Sequence, residues 1–149
     1  MIRNIFTTAA LTGAISWAAA AQTTDVTTLL GKPLTDSFVA NFIAAHKLDP
    51  ATGLSYDNGI QMFNDGQTVY EIYLFNKTTL NGTTMQSYKG ELPAKLVFAD
   101  NIGTLRVKLG QEKSTNGDHA VWDMGTYMME IAFTSDTKNE IAYIVLQKK

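Results

Sequence analysis

Two alternating apolar runs, Gly59-Ile-Gln-Met-Phe-Asn64 and Thr68-Val-Tyr-Glu-Ile-Tyr-Leu-Phe-Asn76, flank the pair Asp65-Gly66. Both residues of that pair tolerate the positive φ that a type I′ turn demands, so the segment predicts an antiparallel hairpin. A hairpin alone is marginal in water, and the rest of the chain must cover one of its faces.

Helices suited to that task are legible on both sides. Thr35 or Asp36 can cap a helix running from about Thr35 to Lys47, in which Phe38, Val39, Phe42 and Ile43 form one apolar stripe. Leu48-Asp-Pro-Ala-Thr-Gly53 ends it. Asp100 or Asn101 can cap a shorter helix, about Asn101 to Leu109, with Gly110 placed to stop it. Gln22 to Lys32 is Thr-rich and weakly patterned, a leader into the fold, and the polar stretch Lys77 to Lys89 reads as a loop or a bent edge strand. Four further runs have strand character: Lys95-Leu-Val-Phe98, Ala120-Val-Trp-Asp-Met124, Tyr127 to Phe133 and Glu140 to Gln147. In the run Tyr127 to Phe133, Tyr127, Met129, Ile131 and Phe133 share one face while Met128, Glu130 and Ala132 share the other.

The expected fold is therefore α+β, an antiparallel sheet with two helices on one face, forming a single domain over residues 22–149. The half-repeats 29–76 and 88–149 each offer a capped helix followed by a late hairpin. Superposing Phe63 on Phe133 brings Val69, Ile72 and Leu74 onto Ile141, Ile144 and Leu146 if the second turn is two residues longer. Two tandem helix-plus-meander units forming one sheet are one arrangement; two unrelated hairpins of ordinary strand composition are the other.

Residues 1–21, MIRNIFTTAALTGAISWAAAA, read as a signal peptide: Arg3 supplies the positive start, Ile5 to Trp17 an apolar stretch too short to span a bilayer, and Ala19-x-Ala21 a small-residue cleavage site. Export to the periplasm or beyond, with Gln22 as first mature residue, is the expectation. With no cysteine in the chain there is neither a lipid-anchor site nor a disulfide, so stability rests on packing. Among charged residues the segment 1–21 carries only Arg3, leaving 11 Lys/Arg against 14 Asp/Glu. A slightly acidic chain lacks the basic footprint of a nucleic-acid binder, and no later run is apolar and long enough for a transmembrane segment. Two Asn-x-Thr matches, at Asn76 and Asn81, have meaning only in a glycosylating pathway.

Candidate chemistry is sparse. There is no cysteine nucleophile, HExxH, glycine-rich phosphate loop or Gly-x-Ser-x-Gly elbow. The two histidines, His46 and His119, are too few for a His-rich metal site; Asp118-His119 with Asp123 is the best acid-base or metal cluster, and a solvated turn accounts for it as well. Glu71 and Glu130 interrupt apolar strands, where burial would raise a carboxyl toward general-acid use, yet each also suits the solvent face of its strand. No catalytic residue, cofactor or metal ligand is assigned. In Val69-Tyr-Glu-Ile-Tyr-Leu-Phe75, Tyr70, Ile72 and Leu74 take one face, and Val69, Tyr73 and Phe75 the other. With one face on the helices, Glu71, Tyr73 and Phe75 would be presented outward and, with Tyr88 from the following loop, would serve as partner-binding residues.

Tyr88-x-Gly-Glu-Leu-Pro93, a helix ending at Leu109-Gly110, then Trp122-Asp123, a tyrosine-bearing strand and a final Ile-x-x-Ile-x-Leu strand together resemble small exported bacterial helix-plus-meander proteins. The beta-lactamase inhibitor protein fold and the small outer-membrane assembly lipoproteins share that architecture. The resemblance covers about Leu29 to Lys149 and implies architecture without assigning site residues. The leading expectation is a non-enzymatic protein-binding domain, an inhibitor or immunity protein against a toxin or cell-wall enzyme, its partner being a protein of the cell envelope. The alternatives are a small-molecule carrier or a glycan or peptidoglycan hydrolase using Glu71, Glu130 or Asp123, and an envelope assembly factor.

Overall fold

The computed structural model describes residues 24–149; the signal-like segment 1–21 and Gln22 lie outside the described residues. The fold is α+β. Helix α1 spans Ser37–Ala45 and α2 spans Ile102–Leu109. The strands are β1 (Leu54–Ser55), β2 (Ile60–Asn64), β3 (Val69–Phe75), β4 (Thr78–Leu80), β5 (Thr83–Met85), β6 (Ser114–Asn116), β7 (His119–Asp123), β8 (Tyr127–Phe133) and β9 (Ile141–Lys148). Seven of them form one antiparallel sheet in the order β1-β2-β3-β9-β8-β7-β6, and β4 and β5 pair separately.

Both helices start where a side chain satisfies an orphan backbone donor. The Asp36 carboxylate accepts from the Phe38 N–H at 2.8 Å, which sets the start of α1. Asn101 and Thr104 form a reciprocal capping box at α2, and Gly110, at φ +83°, ends it. Val39 and Phe42 of α1 and Leu105 of α2 enter the same core as Ile60, Met62, Ile72, Leu74, Trp122, Met129, Ile131, Ile144 and Leu146 from the sheet. The helices therefore cover one sheet face together. The Trp122 indole, 2% exposed, donates to the Gly110 carbonyl at 3.0 Å and ties the end of α2 to β7.

The halves enter the sheet in mirrored order and meet through their last strands, with Ile72 opposite Leu146 and Leu74 opposite Ile144. Each late hairpin carries one register shift, between Phe63 and Asn64 in β2–β3 and between Ala132 and Phe133 in β8–β9. The shifts leave Tyr70 and Ala142 as the extra residues of their strands. Counted from the shifts, Val69, Ile72 and Leu74 occupy the same places as Ile141, Ile144 and Leu146. Phe63 corresponds instead to Ala132, and it lies on the outer face while Phe133 is in the core.

Several local expectations are corrected. The extra residue at Tyr70 reverses the parity of the strand, so Val69 points inward and is fully buried, while the Tyr70 ring lies beside Phe63, centroids 6.4 Å apart. Asp65 does not take a positive φ; its carboxylate accepts from the Gln67 and Thr68 N–H groups, and only Gly66, at φ +89°, is left-handed in a longer loop. The tight turn lies at Asn81-Gly82, φ +52° and +77°, which joins β4 to β5 inside the stretch Lys77 to Lys89 that reads as a loop or a bent edge strand. Lys95 to Phe98 is not a strand, because the backbone turns left-handed at Ala94 and Lys95 directly after Pro93. The leader contributes a 3-10 turn, Val26–Leu29, whose Val26 and Leu29 are fully buried.

Candidate functional site

The sheet face opposite the helices is built by the other strand parity, and register fixes its rows. Phe63, Glu71, Gln147, Met128 and Asp123 lie across five strands in one row. Gln61, Tyr73, Val145, Glu130, Val121 and Ser114 form the next. Phe75, Tyr143, Ala132, His119 and Asn116 form the third. Adjacent rows on one face are close enough for aromatic side chains to meet diagonally.

They do so in a continuous array. Phe63 meets Tyr73 edge-on at 5.7 Å between centroids, Tyr73 stacks on Phe75 at 5.9 Å, and Tyr143 lies 6.0 Å from each of Tyr73, Phe75 and His119. These spacings are those of favourable aromatic pairs. Between the rings is a hollow of about 200 Å³ lined by Glu71, Tyr73, Val121, Met128, Glu130, Tyr143, Val145 and Gln147.

Carboxylates dominate its electrostatics. Burial and then Glu71 push the Tyr73 phenol up from 10.0, and burial followed by Glu130 and Asp118 does the same to Tyr143. Both phenols therefore stay neutral at pH 7. His119 Nδ1 lies 2.5 Å from Glu130 Oε1, and Nε2 lies 3.3 Å from Asp118 Oδ1. Asp123 is separate from this cluster, its carboxylate paired with Lys149. Among the described residues, no group of three or more His, Asp or Glu is placed to hold a metal ion.

Glu71, Tyr73 and Phe75 are thus brought together on the outer face, with Phe75 largely covered at 8% exposure. Tyr88 is not. Its ring belongs to the core, 6% exposed and 6.0 Å from His46, and burial pushes its phenol up to about 12. The Tyr88 N–H donates to the Phe75 carbonyl at 2.8 Å, which makes it a support of the face from beneath. Tyr143, Val145, Met128 and Val121 complete the site and were missed from sequence. Tyr143, Val145 and Gln147 alternate in β9, a signal for a shared face, but only cross-strand register sets them beside Tyr73.

No family model matches this chain, and no curated protein matches it. Among solved structures it is similar to a DUF4309 family protein, YjgB, from Bacillus subtilis, at 16% identity over 74% of this chain and 77% of that one, with a TM-score of 0.44.

Proposed function

We propose that this chain is an exported protein-binding domain that occludes an envelope protein, as an inhibitor or immunity protein against a toxin or cell-wall enzyme. The observation that carries the reading is the outer sheet face: neither helix covers it, and Tyr73, Tyr143 and Phe63 form a half-exposed aromatic array on a rigid support. Aromatic residues fixed by strands supply large contact area at little cost in ordering, which is why they anchor interfaces. The hollow supports contact with a protein over an enclosed small-molecule site, since about 200 Å³ lies below the usual range of ligand pockets. Export rests on Arg3, the apolar run to Trp17 and Ala19-x-Ala21.

The test is capture from an envelope extract with the purified protein as bait, followed by light scattering on the reconstituted complex. A one-to-one complex that Tyr73→Ala abolishes, while Tyr73→Ala retains the native unfolding curve, is the expected result. Equal capture by both proteins, or no partner for either, overturns the reading.

A further inference from the structure

We propose that the hollow on the outer face receives an arginine side chain of the protein partner, its guanidinium held between the carboxylates of Glu71 and Glu130 and against the rings of Tyr73 and Tyr143. The assignment rests on the reading of this face as a protein-binding surface and names the chemistry of what it binds. Size comes first: about 200 Å³ suits one side chain and falls short of a drug-sized ligand or a glycan segment.

The lining then selects the side chain. Val145, Val121 and Met128 offer an apolar wall for a methylene stem, and the rings of Tyr73 and Tyr143 line the same space, where a cation can be attracted to an aromatic system. Glu71 and Glu130 both border the hollow from different strands, two places apart along the sheet. A planar guanidinium with five donors can reach two separated acceptors while lying on an aromatic ring, whereas an ammonium is a compact point charge.

Charge complementarity points the same way. Among the described residues Arg106 and three lysines pair elsewhere, Lys32 with Asp36, Arg106 with Glu112, Lys108 with Asp100 and Lys149 with Asp123, and neither lysine nor arginine lines the hollow. No lysine or arginine of the chain forms an ion pair with Glu71 or Glu130 among the described residues. Glu130 has His119 on one oxygen, and Glu71 interacts with the Tyr73 hydroxyl. The face thus presents acceptors and ring faces without a cation of its own in the hollow.

The experiment is a nuclear magnetic resonance titration of the purified protein with the blocked tripeptide acetyl-Gly-Arg-Gly-amide and with the same peptide carrying citrulline, which has the shape of arginine without its charge. Saturable shifts at the Val145, Val121 and Met128 methyls are expected with the arginine peptide, with affinity roughly 5- to 10-fold above that of the citrulline peptide. Glu71→Gln and Glu130→Gln should each weaken arginine binding about 2- to 5-fold while leaving the unfolding curve in place. Equal binding of the two peptides, shifts confined to another surface, or no saturable shift overturns the assignment. Loss of partner capture by Tyr73→Ala alongside any of those three results would overturn the arginine assignment alone and leave the protein-binding reading standing.

Discussion

Gly59 is the residue whose replacement tests the packing of this fold most directly. It sits at φ +60°, and a Cβ built on it would lie 2.2 Å from the Gln86 carbonyl oxygen, 2.5 Å from the Tyr88 nitrogen and 2.8 Å from the Ser87 carbonyl carbon. All three are backbone atoms, so no rotamer change can relieve the contact. The same segment is fixed by the Gln86 N–H on the Tyr56 carbonyl and the Tyr88 N–H on the Phe75 carbonyl, at 2.9 and 2.8 Å. Gly66 provides the control, being left-handed at φ +89° with nothing within 4 Å of its virtual Cβ. Both alanine variants incur about 1–2 kcal/mol for the left-handed backbone. Gly59→Ala adds an overpacking term of about 1–3 kcal/mol, for a total of roughly 2–5 kcal/mol. With a urea slope of about 2 kcal/mol per molar, the midpoint should fall by about 1–2.5 M for Gly59→Ala and by clearly less for Gly66→Ala. Trp122, the one tryptophan of a protein prepared from Gln22 onward, reports the transition by fluorescence from a site 2% exposed. If the two variants unfold within about 0.5 kcal/mol of each other, the close approach of residues 86–88 to Gly59 is not a determinant of stability and the reasoning fails.

Three other outcomes can be checked on the same protein. Tyr88→Ala should cost about 3–5 kcal/mol, as a large core truncation does, whereas Tyr73→Ala should cost about 1 kcal/mol or less; comparable losses in urea would contradict the assignment of Tyr88 to the core and Tyr73 to the surface. Trp122→Phe should lose about 1–2 kcal/mol, because the Gly110 carbonyl, which accepts from the Trp122 indole N–H, loses its donor; near-UV circular dichroism with thermal melting measures it. Arg106, donating to both Glu112 oxygens at 2.5 and 2.9 Å, holds that carboxyl down to about 2 against 4.5 when free. A carboxyl lowered in the folded state stabilises it fully above about pH 4.5 and loses that contribution as pH falls through about 2. Glu112→Gln should therefore lower the urea midpoint at pH 7 and leave it nearly unchanged relative to the parent at pH 2, and a gap that persists at pH 2 would show that the ion pair is not its origin.

Legibility followed the range of the interactions. Asp36 and Asn101 act on N–H groups two or three residues away, so each helix start is legible to within two adjacent candidates, Thr35 or Asp36 and Asp100 or Asn101. The alternation of Tyr127 to Phe133 is equally local and gives the faces the structure shows. Strand β6, Ser114–Asn116, is wholly exposed and polar and pairs through its backbone, so no periodicity marks it. Lys95 to Phe98 has the composition of a strand, but the turn after Pro93 overrides it. Single inserted residues did most to confuse the reading: Tyr70 reverses the parity of β3 near its turn, so Val69 cannot be placed by counting from Tyr73. At the candidate site, Glu71, Tyr73 and Phe75 were legible from one strand, whereas Tyr143 and Glu130 arrive from β9 and β8, more than fifty residues away, through pairings that chain-local patterns do not encode. Tyr88 was misplaced because a tyrosine in a polar stretch suggests exposure, while its ring is drawn beneath β3 into the core.

The two parities of the strands have consequences for how such a protein can change over generations. Ile72, Leu74, Ile144 and Leu146 answer to folding, and alterations there are felt through the whole core. Tyr73, Val145, Glu130 and Tyr143 alternate with them and sit on the side that no helix touches. Substitution can therefore rewrite every second residue of the sheet on the outer side while the alternating inner residues keep the core. Foldability is inherited through one parity, and the other is left free to vary.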